Sequence, residues 1–289
     1  MIETSSFMID TKEVSEETKE VAKLELRESP ENVAEGLKQL RLLLATDSSI
    51  KYDTDDEFLM KFLRPCKFYA ESAYDLMKRI ADFRAKYASL FEDLLPEDEK
   101  ETFLNYDMLN ILINRDQKGR RVLLCTTGGN WNPSKVSTDQ ILKMLYILHL
   151  AALLEPETQV RGIVVIMDLK DLGMKQVRAF TPSFAKKLTS FIQEALPLRL
   201  KELHMVNNPV VFKFAWKIVK PFINEKFSNR IHFHQKDMES LHKFLDPDIL
   251  PEDYGGNHPK LDYSGKDWYP AVEDYLPFYK KWNSCGRKA

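Results

Sequence analysis

The sequence predicts an α/β domain behind an all-helical N-terminal part. Three observations carry this expectation. Up to about residue 105 the apolar residues recur only at helical spacing. From Asn110 onward, short apolar runs alternate with helix-length segments, the pattern of a mostly parallel sheet. In the middle of that stretch, Gly162-Ile163-Val164-Val165-Ile166-Met167-Asp168 is apolar on both faces, as a central parallel strand must be.

Each element has its own signal. Residues 1 to about 20 are polar and acidic without sustained periodicity, which predicts disorder. Ser29-Pro30 supplies an N-cap and a first-turn proline, followed by Val33, Leu37, Leu40 and Leu44. Thr54-Asp55-Asp56-Glu57 reads as a capping box opening a helix through Phe58, Leu59, Phe62 and Leu63. Ala70 to Lys86 turns Ala73, Leu76, Met77, Ile80 and Phe83 inward. Ile111 to Ile113 and Val122 to Leu124 flank Asp116-Gln117-Lys118-Gly119 as a hairpin. Ser137 to Gln140 caps a helix to about Leu154, and Thr181-Pro182 opens another to about Leu196. Leu200 to Val206 suits a strand, Asn208-Pro209 opens a helix extending toward Phe227, and Ile231 to Phe233 forms a last short strand. The expected organisation is a disordered 1–20, a helical domain over 21–105, an α/β domain over 106–260 and a tail over 261–289.

Composition narrows the class. The 289 residues are 44% hydrophobic and 30% charged, values of an ordinary globular chain. No apolar run approaches the ~20 residues that span a bilayer. The acidic start lacks the basic opening of a secretory signal, and neither common lipid-anchor motif is present. Cys66, Cys125 and Cys285 are odd in number and far apart, which fits free thiols in a reducing compartment. His232 and His234 share a strand face without a visible third ligand, so no metal site is expected. Together these predict a cytoplasmic monomer with no cofactor. The net charge of -2 gives no general affinity for nucleic acid, but its distribution is uneven. Between Arg199 and Lys236 eight Lys and Arg face only Glu202 and Glu225, which predicts a basic surface that meets something anionic.

Two segments bear on function. The 138–154 helix is apolar nearly all round, so it is either simple core or the wall of an apolar space. His149 within it is either a satisfied core histidine or a group facing a ligand's polar end. The 209–227 segment combines Val210, Val211, Phe212, Phe214, Ala215, Trp216, Ile218, Val219, Phe222 and Ile223 with a lysine stripe at Lys213, Lys217 and Lys220. A buried helix with snorkelling lysines is one reading. The other is a lid whose one face covers a cavity while another meets lipid. Pro221 should kink or end this helix. Opening such a lid in water would expose ~400 Å² of apolar surface at a cost on the order of 10 kcal/mol, so opening should be coupled to a membrane.

Enzyme signatures are weak. Gly128-Gly129 is too short for a nucleotide loop, and no phosphate-binding glycine motif or nucleophile elbow occurs. Asp168 ends the central strand, where an α/β active site could lie, but no nucleophile stands beside it in sequence.

Asp56 to Arg64, Gly162 to Leu169, Phe180-Thr181-Pro182-Ser183, Pro197-Leu198-Arg199, Asn207 to Phe222 and Asp248 to Gly256 together resemble the CRAL-TRIO family of lipid-transfer proteins. The likeness is greatest to its branch of α-tocopherol transfer and cellular retinaldehyde-binding proteins, and runs in order over about residues 55 to 256. It implies a sheet that floors a lipid cavity closed by a helical lid. By resemblance, Leu142, Leu145, His149, Ile163, Met167, Leu188, Phe191, Ile192 and Leu203 line the cavity. The lid spans Asn207 to Arg230, with Phe212, Ala215, Val219 and Ile223 facing inward. The family's phosphoinositide cleft falls on Arg199, Lys201, Lys226 and Arg230; its further arginine is replaced by Cys66, with Lys67 adjacent.

The function these readings imply is a non-enzymatic carrier of one hydrophobic lipid, exchanged at phosphoinositide-containing membranes to which it binds transiently. The tocopherol carrier's small hydroxylated cavity residues become Leu145 and His149, which leaves tocopherol, a retinoid or another isoprenoid-like cargo open. Two rivals remain: a phosphoinositide-sensing module with little transfer, and a lipid-modifying enzyme using His149 or Asp168.

Overall fold

The computed structural model describes residues 7–288. A long helix α1 (Glu16–Leu26) leads into α2 (Pro30–Thr46), α3 (Asp56–Leu63) and α4 (Ala70–Lys86). Ser29 caps α2 through its hydroxyl, with Pro30 in the first turn. The cap of α3 is Asp55, whose carboxylate accepts from the Phe58 N–H at 2.7 Å; it stands one residue later than the expected Thr54 box.

Five strands form the main sheet: β1 (Leu109–Ile111), β2 (Arg121–Cys125), β3 (Ile163–Asp168), β4 (Leu200–Val206) and β5 (Ile231–Gln235). They lie in sequence order. β1 and β2 are the antiparallel hairpin, and every later pair is parallel. Between them run α5 (Thr138–Ala152), α6 (Pro156–Arg161), α7 (Met174–Ala179) and α8 (Pro182–Glu194). The Ser137 hydroxyl and the Gln140 side chain reciprocally cap α5.

Period-two alternation gives each sheet face its own core. Val122, Leu124, Val164, Ile166 and Val206 point to one side, where Leu241, Leu245, Leu250 and Tyr254 cover them. Leu109, Leu123, Ile163, Val165, Leu203 and Met205 point to the other, into one core shared with α5, α8 and the N-terminal helices.

Both chain ends differ from expectation. Residues 1–6 lie outside the described residues, but Phe7 and Ile9 are buried and α1 begins at Glu16, within the stretch expected to be disordered. This helix buries little beyond Thr18, Ala22 and Leu26, with Ala22 and Leu26 against Val160 of α6, too sparse a pattern for periodicity to reveal. The expected tail over 261–289 instead forms α10 (Gly265–Glu273) and α11 (Leu276–Asn283), here numbered after helix α9 (Phe212–Val219). Trp268, Tyr269, Tyr279 and Trp282 of this segment are fully buried. Trp282 stacks on Phe62 with ring centroids 5.7 Å apart and donates to the Tyr146 hydroxyl at 2.8 Å. Residues 286–287 then pair antiparallel with 50–51.

Candidate functional site

The carboxyl-end half of the α5-facing sheet surface is not filled by side chains. Leu109, Cys125, Met167, Leu203, Met205 and Ile231 form the floor of an apolar cavity of about 130 Å³. Ile141 and Leu145 of α5 and Leu188 and Ile192 of α8 form its walls, and the roof is the 212–223 segment. The lining is almost wholly apolar and holds no charged residue. Of its polar members, Gln176 donates to the Trp131 carbonyl at 2.9 Å and accepts from the Gly173 N–H at 3.1 Å. Thr189 donates to the Ala185 carbonyl at 2.8 Å. Such a space receives hydrocarbon and penalises a charged group that finds no partner.

The roof has two faces. Phe212, Ala215, Val219 and Ile223 all touch the cavity, while Lys213, Lys217 and Lys220 are exposed. The helix is shorter than its sequence pattern: it starts at Phe212, three residues beyond Pro209, and gives way to a 3-10 turn over Lys220–Phe222. Pro221 lacks the amide hydrogen needed to continue it. A separate short helix, Glu225–Ser228, starts from an Asn224 cap. Beside the roof, Val210, Phe214 and Phe233 are exposed although large and apolar, as is Met174 of the adjacent α7.

Of the nine residues expected in the cavity, Leu145, Met167, Leu188, Ile192 and Leu203 line it. His149 and Ile163 instead face a smaller apolar pocket under the other end of α5, shared with Phe7, Ile9 and the Arg121–Glu155 ion pair. Leu142 and Phe191 are buried packing residues outside both linings, Phe191 lying against Phe83, Tyr146 and His149. The reason is rotational: a helix buried all round presents different residues to the sheet, the cavity and the helical domain. Trp131, Phe180 and Phe184 line the cavity without having been selected from sequence. Phe180 and Phe184, four apart around the Thr181-Pro182 helix start, were the available signal.

His149 is a satisfied core group. Its Nδ1 lies against the Leu145 carbonyl, and burial lowers its pKa to about 4 despite that hydrogen bond. Asp168 accepts from the Lys170 N–H and from Asn207 Nδ2, both at 2.9 Å, so it ties the end of β3 to the segment that leads into the roof.

The basic residues gather at the opposite, amino end of β4. Gly162 makes this possible: at φ +87 its α-carbon passes so close to Arg199 that a Cβ would lie 2.3 Å from that carbonyl oxygen. Arg199 and Lys201 converge on Glu25 of α1, and Arg230 donates to the Leu200 carbonyl. Burial and the neighbouring Arg199 depress the Lys201 pKa, the mark of crowded positive charge. Burial pushes the Cys66 thiol up to about 11 while Arg79 and Lys226 pull it the other way, so both cations stand near it. Arg79 was not selected from sequence. Lys67 is exposed in the turn after α3, and its carbonyl accepts from Arg27.

Fold and cavity define an α/β container for an apolar molecule. A family description reading "CRAL/TRIO domain" matches residues 105–256. "Alpha-tocopherol transfer protein-like" of Mus musculus is 34% identical over 242 residues, covering 83% of this chain and 70% of that protein. "Clavesin-1" of Pongo abelii is 33% identical over 253 residues, covering 86% and 71%. The structure titled "Crystal structure of Sfh5" superposes with a TM-score of 0.53 at 17% identity, over 89% of this chain and 92% of that one. The chain belongs to the CRAL/TRIO family of lipid-binding and transfer proteins. Among the described residues no helix is long and apolar enough to cross a membrane.

Proposed function

We propose that this protein carries one neutral, isoprenoid-like lipid, such as a tocopherol or retinoid, and exchanges it at phosphoinositide-bearing membranes by opening the 212–223 lid. The observation that carries the reading is the two-faced roof: Phe212, Ala215, Val219 and Ile223 meet the cavity while three lysines face outward beside exposed Val210 and Phe214. Lipid contact by the exposed apolar groups offsets the cost of uncovering the cavity. Each lysine held near an anionic leaflet adds roughly 1 kcal/mol of attraction. The carrier works in the cytoplasm as a monomer and visits membranes transiently. No covalent step is required of it, and neither His149, buried and neutral, nor Asp168, bound into a loop network, is positioned as a free base.

The test is capture followed by transfer. After loading, denaturing extraction and mass spectrometry should recover a stoichiometric apolar lipid, and the protein should speed its movement between vesicles. Vesicle binding with no lipid recovered and no transfer would replace this reading with that of a phosphoinositide-sensing module. Chemical conversion of the bound lipid would replace it with an enzyme.

A further inference from the structure

Glu25 stands where an anion should stand. Its Oε2 accepts from Arg199 Nη2 at 2.5 Å and from Lys201 Nζ at 3.0 Å, two cationic donors on one oxygen. Of the cluster's other cations, Lys226 and Arg230 meet no carboxylate among the described residues, so the site keeps positive charge beyond what one acid neutralises. The carboxylate itself is only half sheltered, at 46% side-chain exposure. Burial opposes its charged form, yet the bonds from Arg199 and Lys201 together hold its pKa below the usual carboxylate value.

The helix that carries Glu25 is fixed independently of it. Leu26 and Ala22 are buried against Val160. Arg161 donates to the Thr18 hydroxyl at 2.6 Å and pairs with Glu17 at 2.9 Å. One residue beyond α1 and its cap, Glu28 is paired with Arg64 at 2.8 Å. Freeing the cluster therefore needs only a side-chain rotation of Glu25 into solvent, with α1 left in place.

We propose that Glu25 is an internal competitor for the anion site: it occupies the phosphate position between Arg199 and Lys201 in the unbound protein, and a phosphorylated lipid headgroup must displace it to dock. A phosphate monoester brings more charge and more acceptor oxygens than one carboxylate. Displacement is thus favourable for such a headgroup at a membrane and unfavourable for dilute weak anions. Glu25 thereby sets how much phosphoinositide a membrane must present before the carrier docks. This inference rests on the phosphoinositide reading of the cluster.

The experiment measures the phosphoinositide content needed for half-maximal binding to phosphatidylcholine vesicles carrying phosphatidylinositol bisphosphate. Wild type, Glu25→Gln, Glu20→Gln and Arg199→Glu are compared, each checked for folding by circular dichroism. Glu20 shares the helix and is exposed, with no ion pair among the described residues, so it controls for net charge. Glu25→Gln should lower the required content by about three- to tenfold, the size expected for two partly exposed ion pairs. Glu20→Gln should leave it nearly unchanged, and Arg199→Glu should abolish binding. Equal or weaker binding by Glu25→Gln, with Arg199→Glu still defective, would overturn the competitor while sparing the anion site. Normal binding by folded Arg199→Glu would remove the site itself. Binding of soluble inositol trisphosphate in place of vesicles would overturn the membrane source of the phosphate.

Discussion

Gln193 clasps Asn224 at the far end of the lid: its Oε1 accepts from the Asn224 backbone N–H at 2.8 Å, while its Nε2 donates to the Phe222 carbonyl at 2.9 Å. The pair spans the segment just after Pro221, where the helix has already ended. It thus fastens to α8 the point at which the roof's helix has ended. Gln193→Leu keeps the volume and removes both bonds. Each is worth about 1 kcal/mol, about 2 kcal/mol together, so stopped-flow exchange of a fluorescent lipid should quicken by roughly thirtyfold. The thermal midpoint should hardly move, and an unchanged exchange rate would place the bend elsewhere.

The basic cluster should be separable from the cavity. Lys226→Ala combined with Arg230→Ala removes two cations that line no part of the apolar lining. Affinity for phosphoinositide vesicles should fall roughly tenfold or more at low salt, and the difference should shrink as salt screens it. Lipid affinity in solution, read by tryptophan quenching, should stay near the wild-type value.

Two substitutions distinguish cavity from core. Ala215→Trp directs a large apolar group from the lid into empty space and should block lipid uptake while leaving the fold stable. Leu142→Ala lies outside the lining in a fully buried position, and should cost about 2–5 kcal/mol of stability without changing lipid stoichiometry. Urea unfolding and mass spectrometry of extracted lipid read the two effects separately.

His149 gives stability a pH dependence with a defined sign. Its folded pKa of about 4 lies below the ordinary 6.5, so between those values the unfolded chain takes up a proton that the folded chain refuses. Its contribution is full above about pH 6.5 and is lost as pH falls toward 4, by on the order of 3 kcal/mol. Burial, with His204 and His232 nearby, also holds His234 to about 4, and it adds to the same slope. Denaturant titrations at pH 7.5, 6 and 5 should show His149→Leu losing less stability than wild type over this window.

Local signals read the fold well where one rule governed one element. The caps at Ser29, Ser137 and Thr181 and the doubly apolar strand at 163–168 stand as their residues indicate. Phe212, Ala215, Val219 and Ile223 are expected to face inward from the family resemblance, and all four touch the cavity. The cavity walls were less legible. Leu142, His149 and Phe191 are as apolar or enclosed as Leu145 and Leu188, and which way each points depends on how α5 and α8 rotate against the helical domain. Glu25 carried no signal, since an acid on a polar helix is ordinarily solvated and its partners lie 174 and 176 residues away. The 261–289 segment reads only as a tail, although Trp268, Tyr279 and Trp282 are buried in the core.

The pairing of residues 50–51 with 286–287, and the seat of Trp282 on Phe62, have a consequence for how the molecule is made. Residues 50–62 leave the ribosome first, yet their aromatic layer lacks its closing pieces until more than two hundred further residues have emerged. Phe58 and Phe62 must wait, exposed or loosely covered, through synthesis of the entire lipid-binding domain. Contacts so distant in sequence form slowly, and the waiting surface invites chaperones or aggregation. Productive folding of the 50–62 region therefore waits until the 282–287 segment has been made and can close on it.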